Sequence, residues 1–329
     1  MEQRRFGDSD LTCSALGFGT WEMSTTQYGE IDVQQASAAV GLAIDSGITL
    51  FDTAEIYGPY HSEELLGKAL GKRRQEVVLV TKVGFDIDEE GHTHGKSSAP
   101  ELLTAHAEGC LRRLGTEWID LLLIHWPDHT RPYEDSIGAL VRLQEAGKIR
   151  HYGVSNYNIE MMERCETRGH LTANQVGYHL FDRRMEKEVL PYLQAHGIGF
   201  MAYGTLGFGL LGGAFTPETT FAAGDWRSQG TYFGLPLFER EVFLKELRVV
   251  ERLKALAADY GKSVAQLGIA WVLSNPAVTV GLVGVRNPRE LAENVAATEW
   301  RLTDADRAAI DEIFVSEGVP TYIDTPQAI

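Results

Sequence analysis

Cysteine is scarce in this 329-residue chain: Cys13, Cys110 and Cys165 are the whole complement. Three thiols so widely spaced make neither a disulfide framework nor a zinc site, and they fit a reducing compartment. Positive charge is in deficit, with 30 Lys and Arg against 46 Asp and Glu and a formal net charge of -16. That balance argues against non-specific binding to nucleic acid or an anionic membrane, yet leaves room for a local cationic pocket. No apolar run approaches the roughly 20 residues that span a bilayer. Arg4-Arg5 runs into Gly7-Asp8-Ser9-Asp10 and not into an apolar stretch, so no secretory signal is read and a cytoplasmic location is expected. Missing too is a Gly-x-Gly-x-x-Gly turn after the first strand-like segment, which counts against a Rossmann domain.

What the chain does have is alternation. Strand-like segments at Leu16–Gly19, Thr49–Asp52, Val77–Lys82, Asp120–His125, Arg150–Val154, Ala173–Val176, Gly199–Ala202 and Thr279–Val283 alternate with stretches of helical period. Ala36, Ala39, Val40 and Ala43 line one face of the first helix; Leu103, Ala107, Cys110, Leu111 and Leu114 line the third. Ile137, Leu140 and Val141 do so in the fourth, and Val249, Leu253, Leu256 and Tyr260 in the seventh. Asp32-x-x-Gln35, Ser98-x-x-Glu101, Asn287-x-x-Glu290 and Thr303-x-x-Asp306 resemble capping boxes at helix starts.

Eight such units imply a parallel sheet with right-handed crossovers. At this length a closed (β/α)8 TIM barrel is the economical α/β architecture, with an open doubly wound sheet as the alternative. One domain over residues 1–329 is expected. A hairpin at Arg4–Cys13 would plug its bottom, and extra helices at Ser263–Leu273 and Thr303–Phe314 would complete it. Two long connections, Gly84–Ser97 and Gly204–Arg240, emerge on the carboxyl side of the sheet, where barrel active sites form.

Three successive strands end in chemistry. Ile48–Phe51 delivers Asp52 and, one loop-turn later, Tyr57; the next strand runs into Lys82 and the one after it into His125. Adjacent strands lie about 4.8 Å apart, so an acid, a phenol, an amine and an imidazole can converge. A free phenol, with a pKa of roughly 10, is a poor proton donor. An adjacent ammonium would lower that value, a carboxylate would keep the ammonium charged, and an imidazole could hold a carbonyl oxygen. Each residue alone has a plainer reading as a loop aromatic, a rim residue or a turn cap. Together they form a device that protonates a carbonyl oxygen as hydride reaches its carbon.

Phe-Asp-Thr-Ala-Glu-Ile-Tyr-Gly at 51–58, Leu-Leu-Leu-Ile-His-Trp-Pro-Asp at 121–128, Gly-Val-Ser-Asn at 153–156 and Glu-Asn at 293–294 resemble the signatures of the aldo-keto reductase family. The similarity runs in order through nearly the whole chain and looks closest to the bacterial long-loop branch of inositol- and sugar-related reductases. It implies a nicotinamide-dependent oxidoreductase interconverting carbonyl and alcohol. Asp52, Tyr57, Lys82 and His125 would be its catalytic tetrad, with Tyr57 as general acid/base.

The resemblance also implies cofactor contacts. Thr20 and Trp21 would flank the nicotinamide ribose, Ser155, Asn156 and Gln175 would bind the carboxamide, and Tyr203 would stack on the ring. Gly204-Thr205-Leu206-Gly207 opens a loop with five glycines in residues 204–213, which lets backbone N–H groups approach a pyrophosphate. Gly284 and Arg286 precede a helix start, a phosphate-binding arrangement. Arg286 is the candidate for an adenosine 2′-phosphate, and Glu293 and Asn294 would bind adenine. Two positions depart from the family: Glu290 stands where NADP users often carry Gln or Arg, and Ala214 where a Lys is common. Glu290 could bond ribose hydroxyls or simply close a capping box. Arg286 favours NADP(H) and Glu290 opposes it, so NADP(H) is preferred with NAD(H) as the alternative.

Trp126, next to His125, is the leading substrate contact, with Trp226, Tyr60 and Phe85 as further pocket candidates. His92-Thr93-His94 lacks a third ligand at metal spacing, and no metal is expected. The competing readings are a nucleotide-sensing accessory subunit of the same fold and a metal-dependent sugar isomerase or hydrolase. The expected partners are the cofactor and a small carbonyl or alcohol, with no nucleic acid and no membrane; a homo-oligomer is compatible with the sequence.

Overall fold

A computed structural model describes residues 1–24, 31–88 and 90–326. Among these residues the strands are β1 (Gln3–Arg5), β2 (Thr12–Ser14), β3 (Leu16–Gly19), β4 (Leu50–Asp52), β5 (Val78–Val83), β6 (Phe85–Ile87), β7 (Thr93–Lys96), β8 (Ile119–Ile124), β9 (Ile149–Ser155), β10 (Ala173–Gly177), β11 (Gly199–Tyr203) and β12 (Val280–Gly284). The helices are α1 (Val33–Asp45), α2 (His61–Leu70), α3 (Pro100–Leu114), α4 (Tyr133–Glu145), α5 (Ile159–Glu166), α6 (Val189–Ala195), α7 (Arg240–Ala258), α8 (Val264–Ser274), α9 (Pro288–Ala296) and α10 (Asp304–Glu317).

β3, β4, β5, β8, β9, β10, β11 and β12 form a closed barrel. Closure comes where β12 runs parallel to β3, with Gly281 opposite Leu16 and Gly284 opposite Gly19. These strands are buried on both faces over most of their length and are mainly apolar; β8 is buried at every position, while β9 exposes Arg150 near its start. Helices α8 and α10 are the two additions to the repeating unit, as the sequence indicates. Among the described residues no helix is long and apolar enough to cross a membrane.

The hairpin β1–β2 closes the amino-terminal mouth. Phe6 and Cys13, both fully buried, pack with Leu50, Val80, Leu121 and Met201 from the barrel interior. Gly7 makes the turn at φ 48°, where a Cβ would sit 1.8 Å from the carbonyl oxygen of Gly197. Arg4 donates to the carbonyl oxygens of Val278 (2.7 Å) and Leu273 (2.8 Å), tying the hairpin to the segment ahead of β12.

The expected helix caps form unevenly, and only the box on α10 is complete among the four. Asp32 caps α1 through the amides of Gln34 and Gln35, and Thr303 with Asp306 forms a full capping box on α10. Ser98 does not cap α3, which begins after Ala99 with no side-chain cap. Its amide donates to Asp128 (3.0 Å) and its hydroxyl accepts from Ser136 (2.8 Å), so it ties two carboxyl-side loops together. Asn287 caps α9 through the Glu290 amide, but the Glu290 carboxylate turns to Arg286 and leaves the box half made. Tyr260 lies beyond the end of α7 and is 49% exposed, because its hydroxyl reaches out to Asp306.

The long connection after β5 holds the antiparallel pair β6–β7. The one after β11 is a wrap of short helical turns whose Phe215 and Phe238 pack edge-to-face on Phe221, which in turn meets Phe243 of α7 edge-on. Replacing Phe6 by Ala would open a cavity under the barrel. It should cost about 4 kcal/mol of stability, read as a lower midpoint in urea unfolding with the slope unchanged.

Candidate active site

The four strand-end residues meet. Asp52 ends β4, Lys82 lies one residue from the end of β5, and His125 follows β8. The Lys82 ammonium is fully buried and spends its three protons on Asp52 Oδ1 (2.6 Å), the Thr53 carbonyl (2.8 Å) and Tyr57 Oη (3.3 Å). Gln175, on the opposite side of the barrel, donates to Asp52 Oδ2 at 2.7 Å. Tyr57 sits in the β4–α2 loop, held by its amide on Ala54 O (3.1 Å) and its carbonyl on the Ser62 amide (3.1 Å). Its ring meets the His125 imidazole edge-on at 5.7 Å.

Burial governs the charges here. It pushes the Asp52 carboxyl up and the Lys82 ammonium down, while each partner's opposite charge resists the other's shift. The Tyr57 phenol is held well above 10, first by burial and then by the Asp52 charge. The lowering expected from Lys82 does not prevail against burial and the Asp52 charge. Burial, helped by Lys82 and Lys96, keeps the His125 imidazole well below 6.5 and therefore neutral at pH 7. The site thus presents a protonated phenol and a neutral imidazole side by side.

A groove of about 740 Å³ runs over this floor. Asp52, Tyr57, His125, Ser155, Asn156 and Gln175 line its deep end. Asn156 adopts φ 64°, a left-handed conformation that asparagine tolerates. That conformation lets its side chain donate to His125 O (3.2 Å) and Ser155 Oγ (3.1 Å) and accept from Tyr203 Oη (2.8 Å). Trp21, Tyr203, Gly204, Thr205 and Leu206 line the middle. Gly284, Arg286, Glu290, Glu293 and Asn294 line the far end. There Arg286 is clasped by Glu290, through its guanidinium (2.8 Å) and its own amide (3.0 Å).

Some expected contacts do not face the groove. Thr20 is fully buried, its amide bonded to Asp52 O at 3.0 Å. Gly207 is covered by the turn it opens, and Lys82 meets the groove only through Tyr57 and Asp52. Trp126 and Phe85 do line it, Trp126 stacked on Phe233 at 5.5 Å. Trp226 backs this wall, its ring 4.0 Å from Tyr232. Tyr60 points away, beneath the Arg113 guanidinium. His92 and His94 both turn to Asp88 on the exposed β6–β7 hairpin, at 3.3 and 3.0 Å, and neither reaches the groove.

Glu22, Phe208, Tyr232 and Phe233 also line the groove, though the sequence alone does not single them out. The three aromatics belong to the long connection, which has no period to read. Glu22 was legible only as the residue after Trp21.

Residues 15–314 match the Aldo/keto reductase family. The chain belongs to the aldo/keto reductase family. As a member it is an oxidoreductase coupling carbonyl reduction to a nicotinamide cofactor. It is 37% identical over 316 residues to aldo-keto reductase YhdN of Bacillus subtilis, covering 95% of this chain and 93% of that one. It is 31% identical to the NADH-specific methylglyoxal reductase of Escherichia coli, covering 95% and 98%. Among solved structures, the glycerol dehydrogenase AKR11B4 of Gluconobacter oxydans superposes with a TM-score of 0.88 at 34% identity, covering 97% and 96%. An aldo/keto reductase of Klebsiella pneumoniae in complex with NADP and acetate gives 0.73 at 28%, covering 95% and 96%.

Gln175 is the outer support of this reductase's buried ion pair. Gln175→Leu removes the donor to Asp52 Oδ2 and should cost about 2 kcal/mol, measured by thermal or urea unfolding.

Proposed function

We propose that this reductase interconverts a small oxygenated aldehyde, ketone or keto-sugar and its alcohol, with Tyr57 as general acid/base. The observation that carries the reading is the Lys82 ammonium bridging the Tyr57 hydroxyl and the Asp52 carboxylate at the floor of the groove. The Tyr203 ring, the polar side chains of Asn156 and Gln175 and the arginines at the far end suit a dinucleotide laid along that groove. A bound nicotinamide would supply the hydride.

The chain's own residues do the rest. Tyr57 donates its proton to the carbonyl oxygen as negative charge grows there, and Lys82 stabilises the phenolate left behind. The charge of Asp52 keeps Lys82 protonated in its buried site. Neutral His125 offers an N–H to the same oxygen and orients the carbonyl. In the oxidative direction Tyr57 acts as the base. Trp126, Phe85 and Phe233 give the substrate end flat apolar walls, against which the carbon face of a short polyol or sugar can lie. The methylglyoxal and glycerol activities named for relatives point to substrates of that size. The three cysteines, all buried and unpaired, accord with a cytoplasmic setting.

Tyr57→Phe should lower kcat at least ~100-fold with methylglyoxal, glyceraldehyde and inosose panels, while the Kd for NADPH stays within about twofold. Loss of cofactor binding in step with turnover would count against the assigned role. Tight binding by the native chain with no turnover on any carbonyl would favour a sensing subunit.

NADP(H) is the preferred cofactor, with Arg286 for its 2′-phosphate, and Glu290 is the competing partner of that arginine. Glu290→Gln should free Arg286 and tighten NADPH binding by about tenfold at low salt, leaving NADH nearly unchanged. Fluorescence titration with both nucleotides checks it.

A further inference from the structure

The groove contains a carboxyl that the tetrad does not use. Glu22 follows Trp21 in the turn after β3 and lines the groove, partly exposed through it. Its carboxyl group lies against the backbone of Gly284. A Cβ built on Gly284 would fall 1.8 Å from the carboxyl carbon and 1.9 and 2.1 Å from its oxygens. Only glycine at the end of β12 leaves room for it. Among the described residues no side chain donates to this carboxyl, and only its own backbone amide does.

The charged groups around it are few. Arg286 and Glu290 face it from the segment after β12, and Tyr57 feels its charge from the β4–α2 loop. Arg286 is already engaged by Glu290 at 2.8 Å. Arg227, which lines the groove from the long connection, is bonded to Asp225 at 2.6 Å. Arg289 lines the groove but is exposed. Among the described residues, then, no cation is bonded to Glu22. Burial pushes its carboxyl up to about 7, with Arg286 opposing the shift and Glu290 adding to it.

A dinucleotide brings two phosphate charges into this groove, whose wall at Gly284 is taken up by the Glu22 carboxyl. An ionised carboxylate resting on that backbone repels them. A neutral carboxyl instead offers a proton to a phosphate oxygen. We propose that Glu22 is a proton-linked gate on cofactor entry: the dinucleotide binds with this carboxyl neutral, so binding takes up a proton at Glu22. The inference rests on the reading of the groove as the dinucleotide site.

The sign follows from linkage. The bound phosphates raise the Glu22 pKa above its value in the free groove. At pH values below the free value, the carboxyl is neutral in both states and affinity is flat. Above it, the free form must first gain a proton, so the apparent Kd rises by about tenfold per pH unit. The rise continues until the pKa of the bound form is passed.

The test is titration of NADPH and of NADH by fluorescence from about pH 6 to pH 9, with the native chain and with Glu22→Gln. The native Kd should be flat near the acid end and climb above neutrality for both nucleotides; NADH lacks the 2′-phosphate, so its own titration is removed. Glu22→Gln should flatten the profile and bind at least about tenfold more tightly at the alkaline end. Calorimetry of the native chain at pH 8, in buffers of different ionisation enthalpy, should show about one proton taken up. That proton count decides the matter even where the variant folds poorly. A flat native profile, no proton uptake, or an equal slope in the variant would overturn the gate while leaving the cofactor assignment intact. Absence of binding at every pH would remove both.

Discussion

A lysine and an aspartate, 2.6 Å apart and shut away from solvent, are the contact on which this reductase depends. Bringing two such groups out of water is costly, and their mutual attraction repays it only when every remaining proton and lone pair is met. Here they are met: Thr53 O and Tyr57 Oη take the other ammonium protons, and Gln175 serves the second carboxylate oxygen. The carboxylate comes from β4 and its donors Lys82 and Gln175 from β5 and β10, on both sides of the barrel. Cylinder and chemistry are therefore the same object, and a flat sheet could not bring Gln175 back to Asp52.

Around that core the structure divides labour. Strand ends, rigid by pairing on both sides, hold the groups that must not move. The wall at the Trp126 end of the groove is built differently, from three rings of the connection after β11: Tyr232 stacked on Trp21, Phe233 stacked on Trp126, and Phe208 edge-on to Trp21. Phe208 and Phe233 both take positive φ, so the backbone there is bent to present rings and not to continue any regular element. Such a wall can be rebuilt by substitution without touching the ion pair, which is how one barrel serves many substrates.

That division explains what the sequence showed. The eight barrel strands were legible to within a residue or two because buried strands are rich in apolar residues, and a polar residue at the end of such a strand stands out. Asp52, Lys82 and His125 were readable for that reason, and Tyr57 by its place one loop-turn after Asp52. Ser98 misled because a serine before a helix has two possible employers, and the nearer loop, through Asp128 and Ser136, claimed it. Glu290 looked like half of a capping box and proved to be the partner of Arg286. Glu22 was silent, since its setting is made by Gly284, a residue far along the chain that only barrel closure brings near. The ordering of aromatics in the long connection was equally silent, because packing without a repeat leaves no pattern in one dimension.

The guanidinium of Arg4 grips carbonyls near β12 from 274 positions away, and β12 itself completes the cylinder beside β3. The first and last portions of the barrel thus wait for each other. Joining ends so distant carries a large loop-closure entropy. A ribosome-bound fragment can own the tetrad's residues and every early helix, yet it has no groove: Gly284 and Arg286 supply that wall only after the last strand is made.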